Sequence, residues 1–471
     1  MARSARERRA VRLGLPALAL GLVAALAAAP ANASPVPAPE DESGILMNYV
    51  VNSDKGSATM AEVEAAVEDA GGIVISQYAP IGVTVAQSSR ARFARDLRDL
   101  TSLIDSAGAT RTSPVDALLA PKTGFEESQR ALIEPEPRED EQWGNTKLQS
   151  LEANEIEDGR RSVLVGVLDS GSNDLHEDLA PNFNRQVSVD CESQNGVPNT
   201  EFGAWRALRA HGTHTAGTVA AARNGIGVAG IAPGIEFAAI KVSNDEGYYF
   251  PEYVLCGFWW SMKHGVDITN NSYFVDPWMF WCAADRDQGA VQESFARMIN
   301  HTHKKGMIHV AAAGNSAMDL ANKTTDSSSP NDSDPIEDRP IDETCLDIPT
   351  EIKGVITVSA IQQTGTKAGF SNYGEGIIDV AAPGVGILST GWPGSQDYHF
   401  LSGTSMASPH VTGVIALMES AHPGLSLKKI TNRLYQDSVD TPCGGAPGCT
   451  GPADNNGFYG RGVVNALNAV S

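Results

Sequence analysis

The chain has 471 residues, 42% of them hydrophobic, and a formal net charge of −22. That length allows two or three domains and that hydrophobic content supplies a sizeable core. A surface this acidic repels nucleic acid and anionic lipid, so neither is an expected partner.

Residues 1–33 read as an export signal. Arg3, Arg6, Arg8, Arg9 and Arg12 form a basic start, Leu13 to Ala29 is uncharged and Leu/Ala-rich, and Ala31-Asn32-Ala33 ends in a small-x-small cleavage pattern. Cleavage is expected after Ala33, Pro16 and Pro30 argue against an uncleaved anchor helix, and Arg8-Arg9 leaves twin-arginine export open. Without this +4 segment the chain carries −26.

Residues 34–112 read as a small α+β unit. Leu46 to Val51 is strand-like; Met60, Val63, Val67 and Ala70 recur at helical spacing before Gly71-Gly72; Ile73 to Tyr78 and Ile81 to Ala86 are strand-like; Phe93, Leu97 and Leu100 share one face of a second helix. That alternation is compatible with a ferredoxin-like arrangement. Residues 113–141 form a Pro- and acid-rich linker, expected to be exposed and cleavable.

From 142 to 471, apolar strands alternate with helices. Strands are expected at Val163–Leu168, Phe237–Val242, Val266–Asn270, Met307–Ala312 and Val355–Ser359. Helices are expected near Pro251–His264 and Gln292–Lys305, closed by Gly265 and Gly306. The pattern predicts an α/β fold of three layers, a mostly parallel sheet with helices on both faces. Asp169, Asn271 to Phe274 and Asn315 then fall at carboxyl ends of strands, where open α/β sheets place their sites. His211 and Ser405 fall at helix starts, the second helix being read over Val411–Ala421 with Pro409 tolerated in a first turn. Six cysteines suggest disulfides in an exported chain; Cys443–Cys449 is the favoured pair and the others stay open. None forms Cys-x-x-Cys, so a zinc or redox site is not expected.

Three stretches carry chemistry: Val163-Leu-Val-Gly-Val-Leu-Asp169-Ser-Gly171, His211-Gly-Thr-His-Thr-Ala-Gly-Thr218 and Ser402-Gly-Thr-Ser405-Met-Ala-Ser-Pro-His410. A serine hydroxyl is a weak nucleophile until an imidazole takes its proton and a carboxylate orients that imidazole. Alone, each stretch has a plainer reading: a strand-to-loop turn, a packed helix-start histidine or a metal pair at i and i+3, a helix mouth. Linked in the order Asp, His, Ser, they point to catalysis. His309-Val-Ala-Ala-Ala-Gly314-Asn315 adds a strand stopping at an amide that can donate to an oxyanion. Gly403-Thr-Ser405-Met-Ala407 is not Gly-x-Ser-x-Gly, which argues against an α/β-hydrolase esterase.

On these motifs, residues from about 142 onward resemble subtilisin-like serine proteases. The resemblance implies a secreted, monomeric serine endopeptidase with Asp169, His211 and Ser405 catalytic and Asn315 holding the oxyanion. It implies a mature start at Gln142-Trp143-Gly144, and a pro-domain at 34–112 that assists folding and inhibits for a time. Substrates would be peptides or proteins, bound as an extended strand by Ser272, Tyr273, Phe274 and Gly314; no membrane anchor would remain after signal removal. Phe274 departs from the glycine usual there. No cofactor is required, though Asp178 and the loop Asn224-Gly-Ile-Gly-Val228 resemble a structural calcium site. An aromatic insertion, Pro277-Trp-Met-Phe-Trp281, is expected to pack against the domain. A second, Ser316 to Asp347, carries Asp319, Asp326, Asp332, Asp334, Glu337, Asp338, Asp342 and Glu343, mostly as solvated loop charge. One or two carboxylates lining the pocket for the residue before the cut would favour a basic side chain there, with Arg138–Glu139 as a self-cleavage site. The alternative is a non-catalytic binding protein on the same fold, against which the four intact chemical positions argue.

Overall fold

The computed structural model describes residues 42–119, 121–122, 129–131 and 138–471. The expected export signal and part of the linker lie outside them.

The amino-terminal unit runs β1 (Glu42–Ser53), α1 (Ser57–Asp69), β2 (Gly72–Tyr78), β3 (Val83–Arg90), α2 (Phe93–Arg98) and β4 (Ile104–Ala109), with sheet order β2-β3-β1-β4 and every pair antiparallel. This is the ferredoxin-like order of elements. Met60, Val63 and Val67 of α1 meet Phe93 and Leu97 of α2 and Val51 of β1 in one apolar cluster. β4 is not expected from its sequence, since Ile104 is the one strand former in Ile-Asp-Ser-Ala-Gly-Ala. It forms by pairing with β1 and lying close on the next domain, where a Cβ on Gly108 would come 2.4 Å from the Asp287 main chain.

Beyond β5 (Gln129–Ala131) come α3 (Trp143–Leu148), α4 (Ser150–Asn154), β6 (Leu164–Asp169), β7 (Val189–Asp190), α5 (His211–Ala220), β8 (Glu236–Lys241), α6 (Pro251–Lys263) and β9 (Ile268–Asn271). Then follow β10 (Trp281–Cys282), α7 (Arg286–Lys304), β11 (Ile308–Ala312), β12 (Thr325–Asp326), β13 (Arg339–Pro340), β14 (Cys345–Leu346), β15 (Val355–Ile361) and β16 (Val380–Pro383). The chain closes with β17 (Ile387–Thr390), β18 (Tyr398–Leu401), α8 (Thr404–Ala421), α9 (Leu427–Asp437) and α10 (Ala466–Val470). Seven strands form the main sheet in the order β16-β15-β11-β9-β6-β8-β7, all parallel.

Alternation along β6 shows why these strands read as unbroken apolar runs. Val165 and Val167 pack with α5 and α8, while Leu164 and Leu168 pack on the opposite face with α6 and α7. Both faces are covered, so each side chain is buried whichever way it points.

Two helices begin earlier than periodicity suggested. α7 starts at Arg286 because Asp285 caps it, accepting from the N–H groups of Asp287 and Gln288, both at 3.0 Å. α8 starts at Thr404, which moves Pro409 from the first turn into the second. Proline has no N–H for the carbonyl four residues back, that of Ser405. Ser272 Oγ supplies the missing donor at 2.9 Å and ties the helix mouth to the end of β9.

The amino-terminal unit sits on α6 and α7. Asn52 donates to Ala290 O at 2.8 Å, Arg297 reaches Ser53 O at 2.6 Å and Asp105 at 2.7 Å, and the buried Arg111 guanidinium pairs with the buried Glu252 carboxylate. β5 extends the antiparallel β17–β18 pair. The disulfides are Cys443–Cys449, as favoured, with Cys191–Cys256 and Cys282–Cys345. Among the described residues no helix is long and apolar enough to cross a membrane.

Candidate active site

Asp169 ends β6 and is fully buried at the carboxyl edge of the sheet. Its Oδ1 lies 2.8 Å from His211 Nδ1, the first residue of α5, and accepts from Ser170 N at 2.7 Å; its Oδ2 accepts from Thr215 Oγ1 at 3.2 Å. The Tyr249 hydroxyl also donates to Oδ1, at 3.2 Å. Burial, then the Asp169 charge, holds that phenol well above its ordinary value, so it stays a donor. An imidazole so held presents Nε2 to the cavity beyond, with its tautomer set by the carboxylate.

That cavity, of about 660 Å³, is lined by His211, Ser272, Tyr273, Phe274, Gly314, Asn315 and Ser405 together. All the residues expected at the chemistry and along the substrate strand therefore meet, although Tyr273 turns its ring into the core, stacked on Tyr249 at 4.5 Å. Ser405 follows Thr404 at the mouth of α8, where main-chain N–H groups have no helical partner. Its hydroxyl donates to Ser272 O at 3.1 Å.

Asn315 follows β11. Its Oδ1 accepts from Thr404 N and Thr404 Oγ1, both at 2.8 Å, which fixes the amide orientation. A Cβ built on Gly403 would lie 3.4 Å from Asn315 Nδ2 and 3.6 Å from Ser405 N, so both donors face one small space. Two N–H groups converging beside a serine hydroxyl can stabilise charge developing on a carbonyl oxygen.

The rival metal pair of His211 and His214 does not form. His214 Nε2 faces the carbonyls of Ile387 and His399 at 2.9 and 3.1 Å, and burial lowers its pKa to about 3, keeping it a neutral packing residue.

The acidic insertion lies elsewhere: Asp326 pairs with Arg339, Asp332 accepts from Thr112 and Ser113, and Asp319 and Asp342 cap their own turns. Among the described residues, none of its eight named carboxylates lines the cavity. Asp347, at its end and not singled out by the sequence reading, does. It is buried, with Oδ1 lacking a hydrogen-bond partner, and burial, then Glu351, pushes its carboxyl well above the usual range. The only sequence signal was its place at the close of an acidic run. The aromatic insertion packs as expected, Phe280 and Trp281 being fully buried.

Arg138 does not line the cavity; its N–H bonds Gly227 O at 2.8 Å and its guanidinium holds Glu141. Asp178 and Asn224 are neighbours, but two of their three side-chain oxygens are taken. Asp178 Oδ2 accepts from Val228 N at 2.9 Å and Tyr398 OH at 2.8 Å, and Asn224 Oδ1 accepts from Ile226 N at 3.2 Å. The Tyr398 hydroxyl also bonds Glu177 at 3.0 Å and fills the loop, since a Cβ on Gly227 would lie 1.8 Å from it. Burial raises the Asp178 carboxyl to about 6, and its Oδ1 alone is unpartnered. Calcium takes six to eight oxygens, and this donor set does not fit it.

A parallel sheet with an aspartate, a helix-start histidine and a helix-mouth serine at its carboxyl edge defines a subtilisin-like serine protease. The chain belongs to the subtilase family, whose sequence model, peptidase S8, matches residues 160–460. It is 33% identical over 304 residues to subtilisin DY of Bacillus licheniformis, covering 64% of this chain and 89% of that one. It is 31% identical over 324 residues to the M-protease of Shouchella clausii, 69% of this chain and 68% of that one. The crystal structure of the epidermin leader peptide processing serine protease from Staphylococcus aureus superposes with a TM-score of 0.66 at 21% identity, covering 90% of this chain and 98% of that one. At that identity the likeness is one of fold.

Proposed function

We propose that this protein is an exported serine endopeptidase made as a self-processing precursor. Ser405 attacks the scissile carbonyl as His211 takes its proton, Asp169 orients the imidazole and stabilises its charged form, and Asn315 Nδ2 with Ser405 N holds the oxyanion. The imidazole then returns the proton to the leaving amine, and water repeats the sequence on the acyl-enzyme. The observation that carries this reading is one cavity shared by Ser405, Asn315 and an imidazole held 2.8 Å from a buried carboxylate. Export rests on the composition of residues 1–33, and the role of the amino-terminal unit as temporary inhibitor is supported by its seat on α6 and α7.

Asp347 makes the residue before the cut a basic one. A buried carboxylate with a spare oxygen beside Gly314 is costly alone and favourable against a guanidinium or ammonium. A cut at Arg138–Glu139 would require Arg138, which lies outside the cavity, to leave its bonds to Gly227 O and Glu141. Incubation of the purified protein and its Ser405→Ala form with a peptide library, read by mass spectrometry, tests the whole reading. Cuts after Arg or Lys that vanish in Ser405→Ala support it; a preference for large apolar residues would remove the Asp347 role, and cuts that persist in Ser405→Ala would remove the mechanism.

A further inference from the structure

Lys122, from the linker, enters the cavity that Ser405 lines. Its Nζ lies 2.7 Å from Oδ1 of Asp276, a fully buried carboxylate, and sits 4.4 Å from the centre of the Phe274 ring and 5.4 Å from that of Tyr248. The Lys122 main chain donates to Glu246 O at 2.9 Å, as an extended peptide does at an open edge. Asp276 is held by the domain itself: Oδ2 accepts from Tyr249 N at 2.5 Å, Oδ1 from Asn331 Nδ2 at 2.6 Å, and its own N–H bonds Tyr249 O at 2.9 Å. The receptor is therefore built by the enzyme, and the linker contributes only the cation. Once the linker leaves, a desolvated carboxylate beneath two aromatic faces favours another cation.

Direction follows from the chain. After Lys122 the linker reaches Gln129–Ala131, which pairs with β18, and β18 leads through Ser402 into Ser405. Lys122 thus lies seven residues before the strand that meets β18, and a peptide laid in the same direction brings its amino side to Asp276.

We propose that Asp276, walled by Phe274 and Tyr248, is a cation-specific subsite that takes a lysine or arginine of the substrate on the amino side of the bond cut, and that Lys122 is its internal occupant in the precursor. This rests on the endopeptidase reading and uses a carboxylate other than Asp347. It gives Phe274, the departure from the family's usual glycine, a task.

The test uses processed enzyme and peptides in which lysine, or methionine as an uncharged chain of similar length, is moved through each position upstream of the residue before the cut. One position should favour lysine by about tenfold or more in kcat/KM. Asp276→Asn should abolish that ratio, and Phe274→Leu, which leaves the carboxylate in place, should lower it severalfold. No favoured position, or a ratio unchanged in both variants, would overturn the proposal. If no peptide is cut, the endopeptidase reading fails and the subsite is decided separately in the full-length Ser405→Ala chain. A fluorescent peptide of residues 117–122, Ala-Leu-Leu-Ala-Pro-Lys, should then bind when Lys122→Met is added, and lose binding when Asp276→Asn is added too. Equal binding with and without Asp276→Asn would contradict the subsite.

Discussion

Asn315 carries one of the two N–H groups facing the space beside Ser405, and Thr404 locks the amide in that orientation. Asn315→Ala should lower kcat about 10²–10³-fold with little change in KM, the size of effect that losing such a donor has in subtilisin itself. A change confined to KM would place Asn315 in ground-state binding instead. A second residue-scale expectation concerns Glu419, whose carboxyl is raised from 4.5 to about 7 by burial and then by Asp267. Between those values the native state holds a proton that the unfolded chain has released, so this group's contribution to stability falls as pH rises through the window. Glu419→Gln should be neutral near pH 4 and stabilise by about 1–2 kcal/mol at pH 8, allowing for partial exposure. Urea unfolding at both values checks it; equal effects would mean the group is not desolvated.

Elements were legible where the code is local. β6, β8, β11 and β15 could be read to within two residues because doubly covered parallel strands are runs of Val, Ile, Leu and Ala. β4 was hidden, since its pairing is made by β1 and α7 and not by its own side chains. α8 was read late because Pro409 hides a helix whose missing donor comes from Ser272, 137 residues earlier in the chain. The catalytic candidates could be seen as motifs, whereas Asp347 and the Lys122–Asp276 pair are single residues made significant only by burial and contact. Two loop-scale expectations follow. Cys443–Cys449 closes a short loop and Cys191–Cys256 a long one, with separations of 6 and 65 residues. Replacing each pair by serines should cost about 2 and about 4 kcal/mol respectively, on loop-closure grounds; the reverse order in denaturant melts would count against that account. Because the Tyr398 hydroxyl occupies the Asp178 corner, chelator should leave Tm unchanged, and a fall restored by calcium would show that the corner binds the ion after all.

Across the whole molecule, the amino-terminal unit is held to the protease domain by polar contacts that would be left buried and unpaired if broken singly. Arg111 and Glu252 are both nearly sealed from solvent between the amino-terminal unit and α6. Arg111→Ala should destabilise the full-length chain by about 3–5 kcal/mol, seen as a lower first transition on heating, while a chain beginning at Gln142, which lacks residue 111, should melt as before. The mechanism requires that Asp169, His211 and Ser405 together make one activated oxygen. Labelling of the processed enzyme with a fluorophosphonate, followed by peptide mapping, tests it most directly. A single phosphonylated residue, Ser405, is expected, with labelling lost in folded His211→Ala; modification at another residue, or equal labelling without the imidazole, would refute the mechanism.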